Sequence, residues 1–322
     1  MKMQLISTRR LEIQRHAGCG PVPEDEILLD VLSCGVCRTD AKMWAQGHRD
    51  LILPRVPGHE IVAADGRGRR YVVWPGDICG QCRYCRSGRE NLCPDISIIG
   101  FHRDGGFADQ IIVPKASLIP VPETLDTTVA CLAEPAGCVM HALANCRVKE
   151  GDRVLIYGCG TMGLITAVAV RERGADPMVI EINPDKIKSA EPILEAAEIP
   201  CVMEAEAEFE VVINACSDPM ALQQGLKMLA RGGVFGFFSG LSGDVALAID
   251  AINPIHYREN AIIGAYGLNR SDMQNALSFI EKNQMILRYL VEATVGPEGF
   301  SGILENVLSG NRFKYILKIN GF

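Results

Sequence analysis

The chain has 322 residues, 48% hydrophobic and 22% charged, with 32 glycines and a formal net charge of -7. That balance describes a globular protein long enough for two domains and excludes the collagenous and disordered classes. The acidic pI near 5.5 argues against general nucleic-acid binding, which relies on concentrated positive surface.

The opening MKMQLISTRRLEIQRH lacks the continuous apolar core of a secretory signal, so the chain reads as cytoplasmic. In a reducing cytosol its thirteen cysteines are expected as metal ligands or catalytic groups rather than as disulfides. In chain order, EILLDVL at 26 to 32 alternates as a strand. CGVCRTD at 34 to 40 and GHE at 58 to 60 then supply a thiolate, an imidazole and two carboxylates. GRGRR at 66 to 70 reads as a turn or a ligand contact.

CGQCRYCRSGRENLC at 79 to 93 places Cys79, Cys82, Cys85 and Cys93 in the pattern C-x2-C-x2-C-x7-C. Four thiolates at such spacing can close a tetrahedral zinc shell with no open position, the mark of a structural site. A redox dithiol and an iron-sulfur cluster are the alternatives. FADQIIV at 107 to 113, followed by Pro114, reads as a further strand, and the first 130 residues as a β-rich unit with much loop.

Near residue 135 the texture changes. VLIY (154 to 157), PMVIEI (177 to 182), VVINAC (211 to 216) and VFGFFS (234 to 239) alternate with helical pieces, predicting a parallel sheet covered by helices. The long apolar run at 154 to 170 carries three early glycines and no flanking apolar length, so it reads as a buried strand entering a buried helix and not as a membrane span. Pro192 interrupts the pattern after Glu181, so the helix there is expected to be reduced or absent. Further on, Asp218 caps a helix whose face carries Leu222, Leu226 and Leu229 and which Gly232 and Gly233 end. Another follows Ser271, with Met273, Ala276, Leu277 and Ile280 at helical spacing.

Within VLIYGCGTMG, the glycines Gly158, Gly160 and Gly163 fit G-x-G-x-x-G between a strand and a helix. Small residues there permit a tight turn and let backbone N–H groups approach a pyrophosphate at the helix start. Glu181 closes the next strand at the distance where a carboxylate meets an adenosine ribose. Its charge repels a 2′-phosphate, and IEINPDK offers no arginine to bind one, so NAD is expected over NADP.

Nearly end to end, the chain resembles the zinc-dependent medium-chain dehydrogenase/reductase family of alcohol and polyol dehydrogenases. CGVCRTD, PGHE, the cysteine lobe, DGGFADQ, AEPAGCVMHA, GDRVLIYGCGTMG and FKYILKI carry the resemblance. It implies an α/β protein with a GroES-like β-rich catalytic domain (1–134), a Rossmann domain with a doubly wound parallel sheet (135–268) and a C-terminal segment (269–322) returning to the first domain. It further implies two zinc ions and NAD, a small-molecule alcohol or ketone substrate, and assembly as a homodimer or homotetramer. Neither nucleic acid nor membrane is an expected partner.

Position by position, the resemblance makes Cys37, His59 and Glu134 the ligands of a catalytic zinc and the four-cysteine lobe the structural zinc site. Glu60 is similar to a glutamate that approaches the metal during ligand exchange, and Asp40 to the carboxylate that orients the ligand histidine. Thr39 matches the residue that accepts the substrate's hydroxyl proton, and Lys42 stands where many relatives carry a relay histidine. Arg38, Thr161, Met162 and Lys314, with the three loop glycines and Glu181, are the implied cofactor contacts. Trp44, Phe101 and His102 fall in pocket-lining regions. His16, His48, His141 and His256 are read as structural or surface groups, Cys34 as packing, and Cys131, Cys138, Cys146, Cys159, Cys201 and Cys216 as single small buried residues.

Glu134 directs the expected activity to secondary alcohols of polyols, sugars, cyclitols or amino alcohols. A primary-alcohol or aldehyde reductase and a non-catalytic zinc and nucleotide binding protein are the alternatives. The short segment between Glu60 and Cys79 is expected to trim a hairpin.

Overall fold

The computed structural model describes residues 1–15, 18–242 and 246–319, and His16 lies outside them. The chain divides into two units, one formed by Met1–Gly137 together with Leu268–Phe322 and the other by Cys138–Gly267.

In the first unit, one sheet runs in the order Val291–Val295, Lys314–Leu317, Glu26–Val36, Glu60–Ala64, Arg70–Val73 and Leu118–Pro120, with Gln110–Pro114 also paired to Glu26–Val36. Glu26–Val36 extends past EILLDVL because Ser33, Cys34, Gly35 and Val36 are all buried, and small residues fit a strand covered on both faces. Two distant segments meet on it: Gly35 pairs with Glu60 on one side and with Ile316 on the other. Phe107, expected to open a strand, instead fills the core with Met3, Leu5, Leu29 and Met43. GRGRR is a turn, because the Asp65 carboxylate accepts from the backbone N–H groups of Arg67 and Arg69, each at 3.0 Å. The short segment after Glu60 is therefore a tight hairpin.

The second unit holds six parallel strands in the order Cys201–Val202, Asp176–Ile180, Arg153–Tyr157, Phe209–Asn214, Leu229–Phe237 and Ala261–Gly264. The order reverses at Arg153–Tyr157, so the loops after Tyr157 and Asn214 open the crevice where such sheets bind ligands. Their registers bring Tyr157 level with Ile180 and Asn214.

Two helix expectations need correction. The helix after Glu181 is present as Pro184–Ala196 despite Pro192. Pro192 and Lys188 are both exposed, so the backbone carbonyl that loses its N–H partner faces water. The helix capped by Asp218 stops at Lys227, and Leu229 opens the next strand, buried in the sheet core. The later helix, Arg270–Leu287, starts at a capping box: Asn269 is its cap, and the Asp272 carboxylate accepts from the Asn269 N–H at 2.9 Å.

Candidate active site

Cys37 lies at the junction of the strand Glu26–Val36 and the helix Arg38–Gln46, where it is the helix N-cap. Its thiol accepts from the Thr39 N–H at 3.4 Å, and its own N–H donates to Oδ2 of Asp40 at 2.9 Å. The other Asp40 oxygen accepts from the Gly58 N–H at 3.2 Å and lies 3.4 Å from Nδ1 of His59, off the line of a hydrogen bond. One buried carboxylate thus ties CGVCRTD to GHE. Gly58 is required between them, since its φ is +95° and a Cβ would come within 2.5 Å of the Phe107 ring.

Cys37, His59 and Glu60 bring one donor atom each within 4.8 Å of one another. Burial works against a charged His59 ring, but Asp40 and Cys37 raise its pKa well above the usual imidazole value. Glu60 is buried, with Oε1 receiving the Lys314 ammonium at 2.6 Å and Oε2 having no hydrogen-bond partner among the described residues. A thiolate, an imidazole and an orphaned carboxylate oxygen form a donor set that suits zinc, leaving room for an exchangeable ligand.

Glu134, in the first turn of the helix Ala133–Asn145, is not a member of this close group. Its charge acts on Lys314. Lys314, expected at the cofactor, is buried and engaged by Glu60. Burial lowers its pKa, but Glu60 and Cys37 more than offset this and raise it. The other Glu60 oxygen packs over Gly35, where a Cβ would lie 2.0 Å from Oε2.

Thr39 and Lys42 are half-buried on the helix Arg38–Gln46, and Arg38 is exposed beside Gly310. The Phe101 ring meets two imidazoles, tilted against His59 at 5.4 Å and edge-on to His48 at 5.5 Å between centroids. His48, read from sequence as peripheral, is thereby one ring away from a metal donor. Trp44 packs under Arg9, His141 contacts Asn145, and His256 stacks on Tyr257.

The lobe cysteines converge, with sulfur separations of 3.5 Å (Cys82 to Cys85), 3.6 Å (Cys79 to Cys93) and 4.0 Å (Cys79 to Cys85). Backbone N–H groups of Cys82 and Cys85 donate to Cys79 and Cys82 sulfurs at 3.4 and 3.5 Å. Those of Gln81 and Cys82 lower the Cys79 pKa to about 7, whereas burial and neighbouring thiols push Cys85 up to about 12. Packed so closely, four thiolates need a cation to ionise together, and zinc meets that need.

At the glycine loop, Gly158 has φ +107° and its N–H donates to the Ile180 carbonyl at 2.8 Å. A Cβ on Gly163 would strike the Gly158 carbonyl at 1.9 Å, so the helix Thr161–Glu172 can approach only with glycine there. Gly160, its N-cap, faces open space and supplies no side-chain cap to Thr161 and Met162. That start suits a pyrophosphate. Glu181, just past the strand end, accepts from the N–H groups of Cys159 (3.2 Å), Ile182 and Asn183 (both 3.0 Å), a loop-tying role the sequence did not show. Cys159 and Cys201 are also not solitary, because each shifts the titration of the other, raising Cys159 and lowering Cys201, and Cys131 donates to Ser33 at 3.3 Å. Cys138, Cys201 and Cys216 are only half-buried.

Comparison with known proteins follows the same lines. The Alcohol dehydrogenase GroES-like domain matches residues 23–123. L-galactonate-5-dehydrogenase of Escherichia coli K12 is 29% identical over 276 residues, covering 78% of this chain and 79% of that protein. Sorbitol dehydrogenase of Bacillus subtilis is 29% identical over 256 residues, covering 70% and 71%. Among solved structures, a zinc-binding dehydrogenase of Sinorhizobium meliloti 1021 bound to NADP superposes with a TM-score of 0.87 at 24% identity, covering 98% of each chain. With the GroES-like segment, the parallel sheet and both cysteine constellations in one chain order, this protein is similar over most of its length to the zinc-dependent medium-chain dehydrogenases.

Proposed function

We propose that the chain is a zinc-dependent oxidoreductase that transfers a hydride between NAD(H) and the secondary alcohol or ketone of a polyol or related sugar alcohol. The grouping of Cys37, His59 and Glu60, with a buried unpartnered Glu60 oxygen, carries the reading. The polyol dehydrogenases among its relatives support the substrate class.

In this reading Cys37, His59 and Glu60 hold the catalytic zinc, and Glu134 is the carboxylate available when a ligand exchanges. Cys79, Cys82, Cys85 and Cys93 hold a second, structural zinc. Bound zinc supplies a Lewis acid for the substrate oxygen, and NAD supplies the hydride acceptor. Thr39 takes the substrate's hydroxyl proton at Oγ1. Asp40 fixes the His59 ring and leaves its second nitrogen for the metal. Lys314 holds Glu60 by one oxygen so that the other stays directed away from it. Glu181 disfavours a 2′-phosphate by charge, which favours NAD. We also propose cytoplasmic residence, where the free thiols stay reduced, although the directly observed feature is that no described helix is long and apolar enough to cross a membrane.

Elemental analysis with a substrate panel tests this function. The expected result is two zinc ions per chain and NADH formation from hexitols, with NAD preferred. Iron in the lobe, or equal kcat/KM for NAD and NADP, would overturn the corresponding assignment. Comparing Glu60→Gln with Glu134→Gln identifies the resting ligand, since zinc loss is expected from the first alone.

A further inference from the structure

Asp40 holds the His59 ring at one atom only. It lies 3.4 Å from Nδ1, off the line of a hydrogen bond, and its two oxygens already accept from the Cys37 N–H at 2.9 Å and the Gly58 N–H at 3.2 Å. A contact at one atom leaves the imidazole free to turn about it, and a second ring packed against the imidazole removes that freedom. Phe101 supplies the second ring, its centroid 5.4 Å from that of His59 and the two planes at 52°. That separation is one at which aromatic pairs attract.

Phe101 is itself firmly held. Its side chain is buried in the core that contains Met3, Met43 and Phe107, and the edge of His48 meets it at 5.5 Å. Its N–H donates to the Ile98 carbonyl at 3.1 Å, and its carbonyl accepts from the Ile52 N–H at 3.3 Å. The Gly100 N–H closes the turn onto the Arg103 carbonyl at 2.8 Å. The Arg103 guanidinium then anchors the turn to Asp77 at 2.7 Å and to Glu26 at 2.5 Å.

The same stretch lies against the backbone that carries His59. The N–H groups of Gly105, Gly106 and Phe107 donate to the carbonyls of Val56 (2.7 Å), Gly58 (2.9 Å) and Pro57 (3.0 Å). A Cβ on Gly105 would lie 2.2 Å from the Gly58 carbonyl oxygen, and one on Gly100 would lie 3.0 Å from it. Residues 100 to 107 therefore fix the main chain just before His59, while Phe101 meets its side chain.

We propose that Phe101 is a positioning residue for the catalytic metal, its ring fixing the plane of the His59 imidazole so that the second nitrogen faces the donors of Cys37 and Glu60. This rests on the reading of those three residues as metal ligands and names what directs one of them. A ligand that is free to turn must be ordered when the metal arrives, which weakens binding, whereas a ring already held meets the metal without that loss.

The test compares Phe101→Leu with Phe300→Leu in the full chain. Phe300 belongs to the same core and packs on Phe107 at 5.0 Å, so its replacement controls for lost stability. Zinc at the catalytic site is exchanged for cobalt(II) while the lobe keeps zinc, and the visible bands of the cobalt report its ligand geometry. Phe101→Leu is expected to shift those bands and to bind the catalytic metal about 10-fold more weakly in competition with a chelator, the scale for a ligand's outer partner. Phe300→Leu is expected to lower Tm and keep the parent's bands and affinity. A Phe101→Leu protein with the parent's bands and affinity overturns the proposal. So does an equal loss of affinity in Phe300→Leu, which marks a general loosening of the core. A parent protein that takes metal in the lobe alone overturns the metal site itself, and the missing second equivalent tells that failure apart.

Discussion

At the scale of single residues, the site depends on how tightly Glu60 is confined. A Cβ on Gly35 would lie 2.0 Å from Oε2 of Glu60 and 3.0 Å from its Cβ, and the strand carrying Gly35 is paired on both sides and cannot yield easily. Gly35→Ala should therefore push the carboxylate out of the donor group. About 10- to 100-fold weaker zinc binding is expected at this site, the scale for disturbing a ligand's support. Chelator titration should show one zinc lost early while the lobe keeps the other. Thr39→Val makes a separate test, since it keeps the shape and removes the hydroxyl. Alcohol oxidation should fall by roughly 10²-fold, the scale for a positioned proton-transfer group, with zinc content and NADH affinity unchanged.

At the scale of elements, the zinc lobe is a short helix and a 3-10 turn with no buried residue of its own helix to anchor it. Metal binding replaces a core there, so Cys82→Ser should destabilise the lobe itself. Limited proteolysis between residues 79 and 93 and a lower Tm are the expected readouts. In the other unit, the side chain of Arg153 forks onto Glu210, with Nε at 3.1 Å and Nη2 at 2.8 Å, joining two neighbouring strands. The Arg153 hydrogen bond is the main cause that lowers the Glu210 pKa from 4.5 to about 2. A depressed carboxylate stabilises the fold above its unfolded value and loses that contribution as pH falls through the folded one. Glu210→Gln should thus lower Tm at neutral pH, by an effect of about 1 kcal/mol or less because the pair is partly solvated. Parent and variant should converge as pH approaches 2.

For the whole molecule, the strand Ala261–Gly264 ends its sheet, and exposed apolar residues gather in the stretch around it: Ile249, Ile252, Tyr257 and Ile262. An open strand edge with apolar neighbours favours association, and a second copy offers the same edge. Light scattering should give a dimer or tetramer, and Ile262→Lys should shift the mass toward the monomer without changing zinc content. A parent protein that is monomeric at all concentrations would overturn the homodimer or homotetramer that the family resemblance implies.

Much of the fold was legible because its signals are local. The capping pattern at Asp218, the apolar strand VLIY and the glycines after it act within a few residues. The helix containing Pro192 was misread because the pattern does not show that this residue faces solvent, where a missing hydrogen bond is replaced by water. Leu229 was misplaced because a leucine at helical spacing is equally suited to the strand that follows.

By itself the sequence determined the cysteine lobe and the glycine loop, since their groups lie within segments short enough for spacing to fix geometry. Cys37, His59 and Asp40 were named by the family resemblance that CGVCRTD and PGHE carry, not by spacing alone. Only the tertiary structure decided that Glu60 joins the donor group, that Lys314 serves Glu60, and that His48 stands one ring from His59. Lys314 and Glu60 are 254 positions apart and meet because two strands from opposite ends of the chain flank Gly35. Such partners are set by sheet register, which depends on the packing of the whole unit and leaves no periodic trace in either segment.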